Sequence, residues 1–164
     1  MKGVDTRELI ERAFADVPYP GDNRISKDPP CGESVDVAEY FRGTSWREHS
    51  IDELQKQQSA LSFFSPEALQ YFLPGYMIAS LGHWREADLI PSSILYKWLP
   101  GKDDETEVMR QYRIERMAIF SSAQRAAIAA YLREYEASDD QYGEEEEISI
   151  AIARLLNEET ATRG

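Results

Sequence analysis

Leu9, Ile10, Ala13, Phe14 and Val17 recur at three- and four-residue spacing, the period of one helix face. Asp5 with Glu8 resembles a capping box at its start, and Pro18 and Pro20 end it before a Gly21-Asp22 turn. Residues 18–34 hold four prolines and two glycines, which predicts a long loop, either ordered or mobile. A short helix is expected over Val35–Arg42, with Val37, Ala38, Tyr40 and Phe41 as its apolar part and Gly43 placed for a left-handed cap. Ser50 with Glu53 opens another helix to about Ser59, turning Ile51 and Leu54 inward.

The stretch SPEALQYFLPGYMIASL carries the strongest helical pattern and a proline in its middle. Ser65 is a good N-cap, and Pro66 sits at the first helical position, where its missing N–H costs nothing. Ala68, Leu69, Phe72, Leu73, Tyr76, Met77, Ser80 and Leu81 keep one phase through Pro74. That continuity predicts one helix kinked at Pro74; the alternative is two helices separated there. An interior proline costs ~3 kcal/mol and frees the carbonyl one turn back, on Gln70. Gly75 beside it eases bending and lets a neighbour approach closely.

Ile94–Leu99 suits a short helix or a short strand, and the lack of a partner strand favours helix. Asp103 or Asp104 is expected to cap a helix over Glu105–Ile119, and Ser121 with Gln124 forms a further box opening Ser122–Glu136. After the loop SDDQYG, Ile148, Ala151, Ile152, Leu155 and Leu156 stripe a last helix from Glu144 to about Asn157. These elements predict an all-α fold: one domain over residues 1–164, a compact bundle of six to eight helices around a Pro-kinked central one.

The chain is 164 residues long with 42% hydrophobic residues, enough for a core and too many for a disordered chain. Its net charge of −12 opposes phosphate backbones, so nucleic acid is not an expected partner. No apolar run reaches the ~18 residues of a membrane span, and the N-terminus lacks a signal-peptide core; a cytoplasmic location and no membrane partner are expected. Cys31 is the only cysteine and is read as an incidental loop thiol.

Three stretches carry a resemblance: FADVPYPGDNRI, FRGTSWREHS and ALSFFSPEALQYFLPGYMIASL. Together they resemble a small bacterial family of uncharacterised proteins, classed as a domain of unknown function. The resemblance runs from Leu9 to about Leu99, with a weaker echo at SSAQRAAIAAYL. It implies a bacterial cytoplasmic protein and transfers no catalytic residues.

The chain lacks GxxxxGK[ST], GxGxxG and GxSxG. SDDQYGEEEE fails as a calcium loop, because aligning Gly143 with the loop glycine puts Tyr142 fifth and Ser149 last. His49 and His83 are the only histidines, too few for a metal site without convergent carboxylates, so no metal, no cofactor and no catalytic residue is assigned. Tyr19, Trp46, His49, Tyr71, Tyr76, His83 and Trp84 are candidates for lining a ligand pocket near the helix bend, although core packing is the commoner role for such aromatics. Between residues 133 and 159 ten acids face only Arg133 and Arg154, two thirds of the net charge. Glutamates in a helix's first turn complement its dipole, which alone explains part of this run. The functional reading is an acidic docking face for a basic protein: Tyr135 and Tyr142 as aromatic anchors among Asp139, Asp140, Glu144, Glu145, Glu146 and Glu147.

Two functions are therefore expected. The first is a non-catalytic acidic binding protein, in its sharpest form an immunity- or antitoxin-like protein neutralising a cationic partner. The second is an enzyme or small-molecule-binding domain with its site between helices near His49 and His83.

Overall fold

Pro66–Ser80 forms a single helix around which the rest of the chain is arranged, and Pro74 lies inside it. The computed structural model describes residues 5–27 and 31–157. Pro29, Pro30, Glu158 and Glu159, which entered the loop and charge readings above, lie outside the described residues. Within them the chain forms ten helices: α1 Thr6–Phe14, α2 Gly32–Phe41, α3 Ile51–Lys56, α4 Ala60–Phe63, α5 Pro66–Ser80, α6 Trp84–Ala87, α7 Ile90–Tyr96, α8 Glu107–Ala118, α9 Ser122–Ala137 and α10 Glu145–Leu156. The only sheet-like pairing among the described residues is an isolated antiparallel bridge between Ser26 and Phe64.

The caps explain most of the boundaries. Ser65 Oγ accepts from Ala68 N (3.1 Å) at the start of α5. Ser121 and Gln124 close a reciprocal box at the start of α9, as their spacing predicts. Asp5 caps α1 through the Arg7 amide rather than through a box with Glu8. α8 is capped by Thr106, whose Oγ1 accepts from Met109 N (3.2 Å), and not by Asp103 or Asp104. α2 begins at Gly32, three residues earlier than expected, because Ser34 Oγ accepts from Cys31 N (2.6 Å) and donates to Cys31 O (2.7 Å). Cys31 thus sits at a helix start, free and exposed. Tyr40, expected on the apolar face of α2, is instead partly exposed and stacks on His49. α4 and α6 were not expected; at four residues each they are too short to show a period.

α5 buries Leu69, Phe72, Leu73, Pro74, Gly75, Tyr76 and Met77 and packs against α1, α3, α6, α7 and α8. The close approach expected at Gly75 is made by Trp46: a Cβ there would lie 2.5 Å from the Trp46 carbonyl oxygen. Phe41, Phe64, Phe72 and Tyr76 form a ring cluster on one side of α5. On the other side Ser80 Oγ shares a 2.7 Å hydrogen bond with the Tyr131 hydroxyl of α9. Gln124 ties three helices together. Its Nε2 donates to Ala13 O (3.1 Å) at the end of α1, and its Oε1 accepts from Gln70 Nε2 of α5 (3.0 Å) and from Ser121 N (2.9 Å). The described part of the 18–34 loop is anchored: Ile25 is buried, Ser65 N donates to Ile25 O (3.0 Å), and Lys27 N donates to Phe63 O (3.1 Å).

Candidate functional site

The residues singled out for a ligand pocket separate into four places. Trp46, His49 and His83 line one groove of about 370 Å³, together with Arg7, Glu11 and Gly75. His49 is engaged there: Nε2 lies 3.0 Å from Thr44 Oγ1 and Nδ1 lies 3.3 Å from Glu53 Oε2, leaving neither ring nitrogen for a ligand. Tyr19 and Tyr71 meet edge to face at 5.7 Å, and the Tyr19 hydroxyl accepts from Gly43 N (2.7 Å) and donates to Asp22 Oδ1 (2.6 Å). Trp84 packs on Tyr131 and Tyr135, away from both. Tyr76 is core, its hydroxyl bonded to Gln57 O (2.7 Å). No cluster of three or more His, Cys, Asp or Glu side chains suited to a metal occurs among the described residues.

The acidic segment also divides. Tyr135 is fully buried and cannot anchor a partner at the surface; its hydroxyl donates to Glu144 Oε1 (2.8 Å), which also accepts from Ser92 Oγ (2.9 Å). Burial first, aided by the Glu144 bond and opposed by Ser92, pushes the Tyr135 hydroxyl up to about 12. Glu144 is buried with it, so this carboxylate closes the junction of α7, α9 and α10. Asp140 pairs with Arg85 (3.4 Å), and the exposed Tyr142 donates to Asp88 Oδ1 (3.2 Å). Asp139, Glu145 and Glu146 remain exposed, and Glu147 partly so.

A larger cavity lies elsewhere, and its charge is opposite to that of the chain. About 500 Å³ in volume, it is bounded by α5, α7, α8 and the segments carrying Lys27 and Glu105. Leu69, Trp98, Met117 and Phe120 give it apolar walls. Lys27, Lys97, Arg113 and Arg116 line it, against Glu105 as the one carboxylate among the described lining residues. Glu105 is already committed: it takes Arg113 Nε and Nη2 in a two-pronged pair at 2.8 and 2.9 Å. That pair lies against Gly101, where a Cβ would come within 2.6 Å of it. The Arg113 guanidinium holds the Glu105 carboxyl below its ordinary value, and Glu105 in turn raises Arg113.

Lys97 and Arg116 have no carboxylate partner among the described residues. Lys97 keeps some accessible surface, but its amino group is surrounded by protein. Burial first, and the nearby Arg116 guanidinium second, hold its pKa well below the ordinary lysine value. Burial likewise lowers Arg116, which donates from Nη2 to Leu61 O, while its Nε meets no acceptor among the described residues. The buried Trp98 Nε1 also meets none. Tyr112 holds the cations in place through its ring, which lies 5.2 Å from both Lys27 Nζ and the Arg116 guanidinium carbon. Its hydroxyl donates to Phe64 O (2.5 Å). Behind the wall Arg154 Nε donates to Trp98 O (2.8 Å), and Arg125 Nη2 donates to Met117 O (3.1 Å) at the end of α8.

A family model matches residues 4–157. The chain belongs to the family of unknown function DUF6714. Comparison with curated proteins and with solved structures gave no match. The family carries no described chemistry to the chain, so the function of this DUF6714 member has to be argued from its own residues. Among those described, no helix is long and apolar enough to cross a membrane.

None of the pocket residues was among the candidate site residues read from the sequence, although a signal was present. Met109, Tyr112, Arg113, Arg116, Met117 and Phe120 recur at three- and four-residue spacing, so two arginines share the inward face of α8 with its apolar positions. α8 buries only Met117, as expected of a helix that walls a cavity rather than closing a core.

Proposed function

We propose that this protein binds a small organic anion with an apolar body in the cavity between α7 and α8. The observation that carries the reading is the pair of cations, Lys97 and Arg116, that the fold brings together on the wall of one half-open pocket, neither with a carboxylate partner among the described residues. Two like charges held near each other away from water destabilise the folded chain, and such groups concentrate at functional sites, where a ligand supplies what the protein lacks. The walls specify the rest of the ligand: Trp98, Phe120, Met117 and Leu69 suit an aromatic or branched apolar body, and the volume is that of an ordinary small-molecule site. The binding role follows the smaller of the two functions expected from the sequence, at a different place.

The test is thermal stability against probe anions. Benzoate and phenyl phosphate, at matched ionic strength, raise the melting temperature in a saturable way, because a ligand that binds only the folded state stabilises by mass action. Benzamidine, of similar shape and opposite charge, does not. Arg116→Gln and, separately, Lys97→Gln weaken the response. Equal shifts from benzamidine, or an unchanged response in both variants, would contradict the reading.

The acidic docking face is a second reading, supported by one observation: Tyr142 is 61% exposed, with Asp139, Glu145 and Glu146 outward around it. Its expected partner is a basic protein, as in immunity-like neutralisation. Tyr142→Ala combined with Glu145→Gln and Glu146→Gln would abolish capture of such a partner and leave the benzoate response intact. Capture unchanged by the triple substitution would remove this reading.

A further inference from the structure

Lys97 differs from the other cations of the cavity in one chemical respect: it can become a neutral nucleophile. Arg113 and Arg116 are guanidinium groups that stay charged, and Lys27 is held over the Phe63 and Tyr112 rings. Lys97, in the segment that ends α7, lines a half-open cavity with apolar walls, its amino group packed in protein, with Arg116 on the same wall and no carboxylate bonded to it among the described residues. A desolvated amine next to a fixed cation is the arrangement that activates lysine toward carbonyl carbon.

We propose that Lys97 forms an imine with a small aldehyde or 2-oxo acid whose anionic group is seated on Arg116. This rests on the anion-binding reading above and names the reactive class of its ligand. In the addition step the Nζ lone pair forms a C–N bond, the carbonyl π pair moves to oxygen, and one amine proton passes to that oxygen. In the second step the C–O bond breaks, water leaves with a second nitrogen proton, and C=N forms. One water is released, nothing is oxidised or reduced, and hydrolysis reverses the sequence. The ionisable groups that share the cavity with Lys97 are Lys27, Tyr96, Glu105, Tyr112, Arg113 and Arg116. All but Glu105 and the two neutral phenols oppose a further positive charge on Lys97, which makes its proton easier to lose than that of an exposed lysine.

The experiment uses the full chain, 4-carboxybenzaldehyde as probe and cyanoborohydride to fix any imine, with adducts located by mass spectrometry after digestion at pH 6.5. The expected adduct is on Lys97. It is the major adduct, ahead of the exposed Lys56 and Lys102, since a lysine held below its ordinary value offers more of the neutral amine. Benzoate slows the labelling, and benzaldehyde, lacking the carboxylate, reacts more slowly than the probe. Lys97→Arg keeps a cation in place and removes the adduct; an adduct at a neighbouring lysine in that variant would count against the assignment. If labelling is spread over the surface lysines, the imine is wrong. Should benzoate still stabilise the protein in that case, the anion site survives without it; if benzoate does nothing either, both fail together.

Discussion

Replacing Lys97 by methionine is predicted to make the unliganded protein more stable. The two side chains are similar in length, so the cavity wall keeps its shape while a charge beside Arg116 disappears. Exchanging buried ionic groups for apolar isosteres stabilises by ~1–4 kcal/mol where measured. Lys97 belongs at the low end, about 1 kcal/mol, because it keeps some solvent contact and can relieve its penalty by losing a proton. In a chain of this size that raises the melting temperature by about 2–4 °C. The pH dependence gives the sharper test. An unfolded lysine releases its proton near ~10.4, whereas the folded Lys97 releases it well below that. Between those two values the unfolded chain holds more protons, so the wild type gains stability as pH rises through the window. Below the folded value the penalty is complete; above the unfolded value it is gone. The methionine variant has no such term. Melting curves by circular dichroism from pH 5 to 9.5 should therefore show the variant's advantage largest at the acid end and shrinking as pH rises. A variant that melts lower than wild type throughout, or a difference independent of pH, would refute the claim that Lys97 is a destabilising buried cation.

Gly75→Ala should destabilise, although helix propensity alone predicts a gain of ~1 kcal/mol, because the new Cβ meets the Trp46 carbonyl at 2.5 Å. Overpacking costs ~1–3 kcal/mol, so a urea midpoint at or above wild type would show that the approach is not tight. Gln124→Ala removes the bonds joining α1, α5 and α9 and should cost ~2–3 kcal/mol, read from the same urea curves. Glu144→Ala should cost a similar ~2–3 kcal/mol by leaving Ser92 and Tyr135 unpaired, while Glu146→Gln stays within ~0.5 kcal/mol of wild type; equal effects would mean that Glu144 is not the inward carboxylate. Burial raises the Tyr76, Tyr131 and Tyr135 hydroxyls, so the neutral forms stabilise the fold fully below the unfolded tyrosine value near ~10, and that stability is lost as pH climbs past it. The last part of the phenolate absorbance, beyond that of the more exposed tyrosines such as Tyr96 and Tyr142, should then rise together with loss of helical ellipticity above pH ~10; absorbance of all nine phenolates with the helices intact would contradict the burial of these rings.

The sequence was most readable where a helix has enough turns to repeat its pattern. α1 and α5 follow their stripes, α9 opens at its expected box, α10 follows its stripe except at Leu156, which is exposed, and the phase held through Pro74 marked one helix correctly. Gly75 was legible because a glycine in a buried helix face has few uses besides close approach. α4 and α6 left no trace, since one turn has no period. The pocket was hidden for a different reason. Periodicity reads charge as an outward mark, so Arg113 and Arg116 drew no attention although their spacing to Met117 and Phe120 places them on the pocket side. Lys97 was one letter in a segment too short to have an assigned face. At the other end, counting acids treated Glu144 like its three successors, yet a hydroxyl from α7 and another from α9 draw it inside. Tyr135 followed the same error: an aromatic among charges reads as a surface anchor until its partner carboxylate is seen to be buried.

The most direct measurement is a titration of the protein with phenyl phosphate and with benzoate, followed through the arginine Nε–Hε resonances. Occupation of the cavity predicts that the Arg116 signal moves along a saturating curve while that of the exposed Arg47 stays in place, and that Lys97→Gln weakens the apparent affinity. Small, unsaturating shifts shared by Arg47 and Arg116 alike would mean that the anions only screen the surface, and the account of the pocket would be wrong.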